Sequence, residues 1–309
     1  MKQGEADAPF VTLGRIGFVG AGAVGGSLAV ALAVVGAQVV AVTAQHTANA
    51  AAVTTRIPGC MVASDVAGVL AQSDCVILAT PDDAITKVAA VAPWRAGQLA
   101  IHLSGAHGAE LLAAAEAKGA HTAALHPLMT FPQALREAPA DDILARLQGA
   151  TWALEATDET LAAALRALVV TLGGRTITLR VEDRVPYHLS AVLASNYVTA
   201  LLGAAVSLWQ DALGVDGEMA REALLPLLRA SVTNLETVGL PAALTGPIAR
   251  GDLSVVRAHL AWLDAHAAEL TNGPALRAAY VALARLAIPL AQSKGTLSTE
   301  AARALEDLL

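Results

Sequence analysis

An apolar run breaks into glycines at Arg15-Ile-Gly-Phe-Val-Gly-Ala-Gly-Ala-Val-Gly-Gly-Ser-Leu-Ala29, where Gly20, Gly22 and Gly25 stand at G-x-G-x-x-G spacing. That spacing, set between a strand and a helix, suits a dinucleotide: the first glycine turns the chain and the second lets backbone N–H groups reach a pyrophosphate. The third lets the helix pack close to the sheet. Ala23 and Val24 open the helix whose positive end faces the phosphates. The next strand ends in Val42-Thr43-Ala44-Gln45-His46, with no carboxylate to hold ribose hydroxyls and repel a 2′-phosphate. Thr43, Gln45 and His46 can hydrogen-bond a phosphate, with Arg56 a distant helper, so NADP(H) is expected over NAD(H).

Other polar groups fall where an open α/β sheet puts its chemistry, at the carboxyl ends of strands. Thr80 and Pro81 should line the cofactor crevice, and Ser104 and His126 should lie where a nicotinamide meets a substrate. In the helix starting at Pro186, His188, Ser195 and Asn196 are spaced to share one face of an apolar helix. Either they tie this helix to its neighbours by buried hydrogen bonds, or Asn196 orients a substrate while His188 donates a proton. In Ala243-Leu-Thr-Gly-Pro-Ile-Ala-Arg-Gly-Asp252, either Thr245 and Arg250 hold a substrate carboxylate, or Arg250 pairs with an acid in an ordinary connection capped by Asp252. Asn234 is a further polar residue in mid-helix. The two cysteines, Cys60 and Cys75, and the other histidines show no ligand spacing, and no metal is expected.

These residues need elements to carry them. Strands are expected at Ile16–Val19, Gln38–Thr43, Met61–Ala63, within Ser73–Pro81, and at Gln98–Leu103, Thr122–Leu125, Thr151–Glu155 and Arg175–Leu179, with helices between most of them. From Val185 the pattern is helical almost to the end. A boundary near Val181–Arg184 divides a domain of residues 1–182 from an all-helical one of residues 183–309, expected to bind substrate and dimerise.

A length of 309 residues with 55% hydrophobic and only 15% charged residues supplies a large core. A net charge of -7 without a Lys/Arg cluster argues against a nucleic-acid surface. Ile16–Val42 and Ala191–Trp209 resemble membrane spans in hydropathy. The first divides into strand, turn, helix and strand, and the second carries Ser195, Asn196, Thr199 and Ser207, so no membrane segment is expected. Met1–Pro9 is polar and acidic, unlike a signal peptide, and a cytoplasmic location is expected.

Val19-Gly-Ala-Gly-Ala-Val-Gly25, Leu78-Ala-Thr-Pro-Asp-Asp-Ala-Ile85, His102-Leu-Ser-Gly-Ala106, His126-Pro-Leu-Met-Thr-Phe131, Tyr187-His-Leu-Ser-Ala-Val-Leu-Ala-Ser-Asn196 and Ala243–Asp252 together resemble the Rossmann-like family carrying domain of unknown function 2520. The resemblance runs from about Leu13 over nearly the whole chain. It implies an α/β fold in which an N-terminal doubly wound Rossmann domain binds NAD(P) and an all-α C-terminal domain forms a homodimer. The layout is also similar to ketopantoate reductase and the 6-phosphogluconate dehydrogenase-like superfamily, in which a lysine donates the proton. Here His188 and Asn196 occupy that face and no lysine does. The resemblance implies reduction of a small 2-oxo acid such as ketopantoate. The alternatives are an imine reductase resembling pyrroline-5-carboxylate reductase, and a cofactor-binding sensor without turnover.

Overall fold

Short apolar runs rich in Val, Ile and Ala alternate with helices through the first half of the chain, and the computed structural model, which describes residues 12–309, turns that alternation into one sheet. Met1–Pro9 lies outside the described residues. The order is β1 (Ile16–Val19), α1 (Ala23–Val34), β2 (Val39–Thr43), α2 (Thr47–Thr54), β3 (Met61–Val62), α3 (Val66–Gln72), β4 (Cys75–Leu78), α4 (Asp82–Val91) and β5 (Leu99–His102). Then come β6 (His121–Pro127), α5 (Ala140–Leu147), β7 (Thr151–Ala156), α6 (Glu159–Thr171) and β8 (Arg175–Thr178). Each of the eight expected strands is present.

The strands lie in the order β3-β2-β1-β4-β5-β6-β7-β8. Every neighbouring pair is parallel except β6 and β7, which run antiparallel. All four residues of β1 and of β4 are buried, as continuous apolar strands covered on both faces must be. Successive side chains point to opposite faces. Phe18 and Ile77 therefore join one core cluster with Leu28 and Leu32, while Val19, Val76 and Leu78 join another with Ile85 and Trp94. The sheet order reverses between β1 and β4, which opens a crevice at the carboxyl ends of these strands. The run Ile16–Val42 that resembled a membrane span is β1, α1 and most of β2.

The chain divides into two compact units at Leu193–Ala194. Helix α7 (Arg184–Ala191) belongs to the sheet unit, where buried Arg184 pairs with Glu155 of β7. A π turn at Val192–Asn196 leads to α8 (Tyr197–Leu213), followed by α9 (Gly217–Val238), a single turn at Pro247–Arg250, α10 (Leu253–His266), α11 (Gly273–Lys294) and α12 (Thr299–Leu308). The core of this second unit gathers Ile248, Val256, Leu260, Val281, Ile288 and Leu305. By contrast, α8 has no buried residue, and α9 has only Ala220. Two helical stretches, Val181–Leu213 counted through its π turn and Gly273–Lys294, are long and apolar enough to cross a membrane by length and composition.

Candidate active site

The glycine turn follows β1, and its geometry fits a dinucleotide. Gly20 has φ +108°, a conformation that favours glycine, and a Cβ there would meet the Ala79 carbonyl oxygen at 2.4 Å. A Cβ on Gly25 would meet the Gly20 carbonyl at 2.2 Å, so helix α1 can approach the turn only without a side chain. Gly22 faces open space, with nothing within 4 Å of a Cβ built there. Gly22 caps α1, whose first turn, beginning Ala23-Val24, carries no acid to repel phosphate. At the end of β2, Thr43 is buried and Gln45 exposed. At the end of β4, the Thr80 hydroxyl oxygen is buried without a hydrogen-bond partner and Pro81 is exposed. Arg56, read as a distant phosphate helper, instead donates to the backbone carbonyls of Arg136 and Ala138.

The carboxyl ends of β5 and β6 bring together residues far apart in sequence. His126 Nδ1 lies 2.8 Å from the Tyr187 hydroxyl, with the rings at 89°. The His188 ring centroid lies 6.3 Å from that of His126. Gly105 sits between the two imidazoles: a Cβ there would come within 2.8 Å of His126 Nε2 and 2.9 Å of His188 Cδ2. Two of the histidines expected to act, His126 and His188, are thus neighbours. Tyr187 joins them, though the sequence reading gave it no role beyond its place in a motif.

Ser104 is nearly enclosed, and its groups are engaged. Its hydroxyl donates to Asp82 at 2.8 Å, and its N–H donates to His102 Nδ1 at 3.1 Å. Pro81 holds the N-cap position of α4, and the carboxylate of Asp82, the first helical residue, accepts the Ser104 hydroxyl. Because His102 Nδ1 accepts, its Nε2–H donates to the Gly108 carbonyl at 2.7 Å. The segment after β5 is held further by Glu155, whose carboxylate accepts from Ala109 N–H and pairs with Arg184. Arg184 is 1% exposed; its Nε donates to Glu155 at 3.0 Å, and its Nη1 has no hydrogen-bond partner.

Burial sets the protonation states here. Desolvation, with the nearby charges of His188 and Arg184, lowers His126 to about 4. Desolvation likewise lowers His102 to about 4, and raises the Tyr187 phenol to about 12. At neutral pH His126 and Tyr187 therefore form a pair of uncharged groups.

The other expected substrate residues lie in the helical unit. Asn196 ends the π turn, exposed, and Ser195 is half-buried beside it; the Ser195 carbonyl accepts from Thr199 at 3.4 Å. The 3.6-residue phase on which His188, Ser195 and Asn196 shared a face does not run through a π turn. Asn234 and Thr245 are exposed. Arg250, 63% exposed, pairs with Asp252 at 2.8 Å, which realises the alternative of an arginine matched to an acid. Asp252 stands at the N-cap of α10, yet its side chain accepts no helix N–H because Arg250 takes it.

A Rossmann-like domain model matches residues 5–127, and the model of the domain of unknown function DUF2520 matches residues 150–287. No curated protein matches the sequence. Among solved structures, a Bacteroides fragilis protein described as an NADP oxidoreductase is similar at 22% identity and TM-score 0.72, covering 90% of this chain and 99% of that one. A reductive aminase from Aspergillus terreus, in complex with NADPH and ethyl levulinate, is similar at 18% identity and TM-score 0.60, covering 96% and 99%. The 1-pyrroline-5-carboxylate reductase of Streptococcus pyogenes is similar at 17% identity and TM-score 0.55, covering 90% and 98%. At these identities the likeness is one of fold.

Proposed function

Starting from a chain that carries a Rossmann-like domain followed by a DUF2520 domain, we propose an NADPH-dependent reductase of a small carbonyl compound, a 2-oxo acid such as ketopantoate in the first place. The observation that carries this reading is the His126–Tyr187 pair beside Gly105, at the strand ends where substrates of open α/β sheets bind. When bound, the nicotinamide supplies a hydride to the substrate carbon. The chain's own residues must then protonate the oxygen. His126, held near 4, is a neutral imidazole at neutral pH and is not the acid; Tyr187, beside it and still protonated, is the donor in this proposal, with the neighbouring His188 as the alternative donor. A phenol near 12 stays protonated until a more basic alkoxide develops, and then yields its proton downhill. His126 orients the phenol, and the missing side chain of Gly105 leaves the backbone close to both imidazoles. Ser104, Asp82 and His102 keep that backbone in place.

Imine reduction is the second reading, favoured by the shared fold of the reductive aminase and the pyrroline carboxylate reductase. Imines arrive protonated and ask less of a protein acid. Steady-state oxidation of NADPH with ketopantoate and with 1-pyrroline-5-carboxylate separates the two. For a ketone, Tyr187→Phe lowers kcat about 100-fold or more with little change in NADPH affinity. A ketone rate untouched by Tyr187→Phe defeats the proposed acid, and turnover of the imine alone shifts the substrate class. Tight NADPH binding with no turnover of either leaves the sensor.

The homodimer belongs to the same proposal. Tyr197, Leu201, Met219, Leu227, Leu235 and Val238 on α8 and α9 are all exposed, though neither helix has a core of its own. A second copy of the chain would cover them, since a stable interface needs on the order of 800 Å² from each partner.

A further inference from the structure

Arg136 is a guanidinium in an unusual place. It lies in the 3-10 turn Gln133–Glu137, more than a hundred residues from the glycine turn, and is 8% exposed. Its Nη1 makes a long 3.5 Å contact with the carbonyl of Ala21, inside Gly20-Ala21-Gly22. Its Nη2 donates to Glu137, which is 70% exposed, and its Nε is buried with no hydrogen-bond partner.

The arginine is brought there by specific means. Gly26 follows the last fingerprint glycine, and a Cβ on it would meet Arg136 Cγ at 2.8 Å, Arg136 Cδ at 3.0 Å and Val53 Cγ2 at 3.0 Å. The aliphatic stem therefore crosses α1 where α1 has no side chain, beside Val53 of α2. Arg56, at the end of α2, donates to the carbonyls of Arg136 and Ala138 and pins the segment from the other side. Arg136 is thus wedged between the fingerprint helix and the helix that follows β2. The adenosine ribose of a dinucleotide is read at the end of the second strand, and that strand end adjoins the turn Arg136 touches, since the Gly20 N–H donates to the Thr43 carbonyl at 2.8 Å.

A buried guanidinium needs an anion, and the partners present do not supply one adequately. Glu137 is screened by solvent, the Ala21 contact is at the limit of a hydrogen bond, and Nε has nothing. Meanwhile the end of β2 carries no acid, and its arginine, Arg56, is committed to backbone carbonyls. We propose that Arg136 receives the 2′-phosphate of NADP(H), supplying from the β6–α5 segment the cation that the second strand lacks. A phosphate dianion gives a planar guanidinium the charge-assisted partner it is missing. This inference rests on the dinucleotide reading of the glycine turn.

The test is direct binding of NADPH and of NADH to the full chain, measured by calorimetry, for the wild type, Arg136→Gln and Arg136→Lys. Arg136→Gln is expected to weaken NADPH about tenfold or more while leaving NADH within about twofold, the loss of one charged hydrogen-bonding partner. Arg136→Lys keeps the charge and loses the fork, and falls between. Unchanged NADH binding by the variants certifies their fold. Equal weakening of both dinucleotides overturns the assignment, because the arginine then serves the turn or the pyrophosphate. Unchanged NADPH binding overturns it as well. A wild type that binds neither dinucleotide brings down the cofactor reading itself, an outcome distinct from the other two.

Discussion

The two units handle polarity in opposite ways. Every buried polar or charged side chain among the described residues lies in the sheet unit, among them Thr43, His102, Ser104, Arg136 and Arg184. The helical unit keeps its polar candidates, Asn234, Thr245 and Arg250, on the surface, and exposes large apolar side chains along α8 and α9. Burying a polar group is costly unless a partner is fixed in place. A sheet with both faces covered can fix such partners from several strand ends at once, as it does around Gly105. A helical hairpin with one buried residue cannot.

Ion pairs sharpen the contrast most. Arg184–Glu155 is enclosed and Arg250–Asp252 is not. Glu155→Ala leaves a buried guanidinium unmatched and is expected to cost about 3–5 kcal/mol in chemical unfolding. Asp252→Ala should cost under about 1 kcal/mol. Similar losses from the two variants would erase the distinction.

Acid should strike the sheet unit next. His102 and His126 have folded values of about 4, below the ordinary 6.5, because burial disfavours their charged forms. Their contribution is fully present above about pH 6.5 and is lost as pH falls towards 4, where each costs on the order of 3 kcal/mol. Replacing His102 by Gln should flatten this slope in a series of denaturant melts from pH 7 to 4. An unchanged slope would show that the imidazole protonates freely in the folded state.

The smallest effect on the fold, and the largest on assembly, is expected from Leu227→Asp on α9. Sedimentation should show a dimeric wild type and a monomeric variant whose unfolding midpoint, at a concentration where both are monomers, is unaltered. A wild type that sediments as a monomer ends the dimer proposal.

Strand positions were legible in the sequence because they depend on local pattern: short, largely apolar runs between helical stretches carry their own signal, and all eight appeared where expected. The glycine turn was legible for a similar reason, since its three roles lie within six residues. His126 and His188 could be singled out by position, but their being neighbours could not. Tyr187 offered only an aromatic ring before a histidine, and Arg136 only a charge in a loop. Gly26, one glycine more than the fingerprint requires, was the one local trace of the arginine that crosses it.

What the sequence alone determined is the doubly wound sheet, its glycine turn, the absence of an acid at the end of β2 and the helical character of the second half. Each follows from side-chain type and spacing over a few residues. Tertiary structure decided which polar groups meet: His126 with Tyr187, Glu155 with Arg184, Arg136 with the Ala21 carbonyl, and Arg250 with Asp252. Such pairings depend on how strand ends and loops converge in space, and burial at that convergence, which no local window records, sets the charge each group carries.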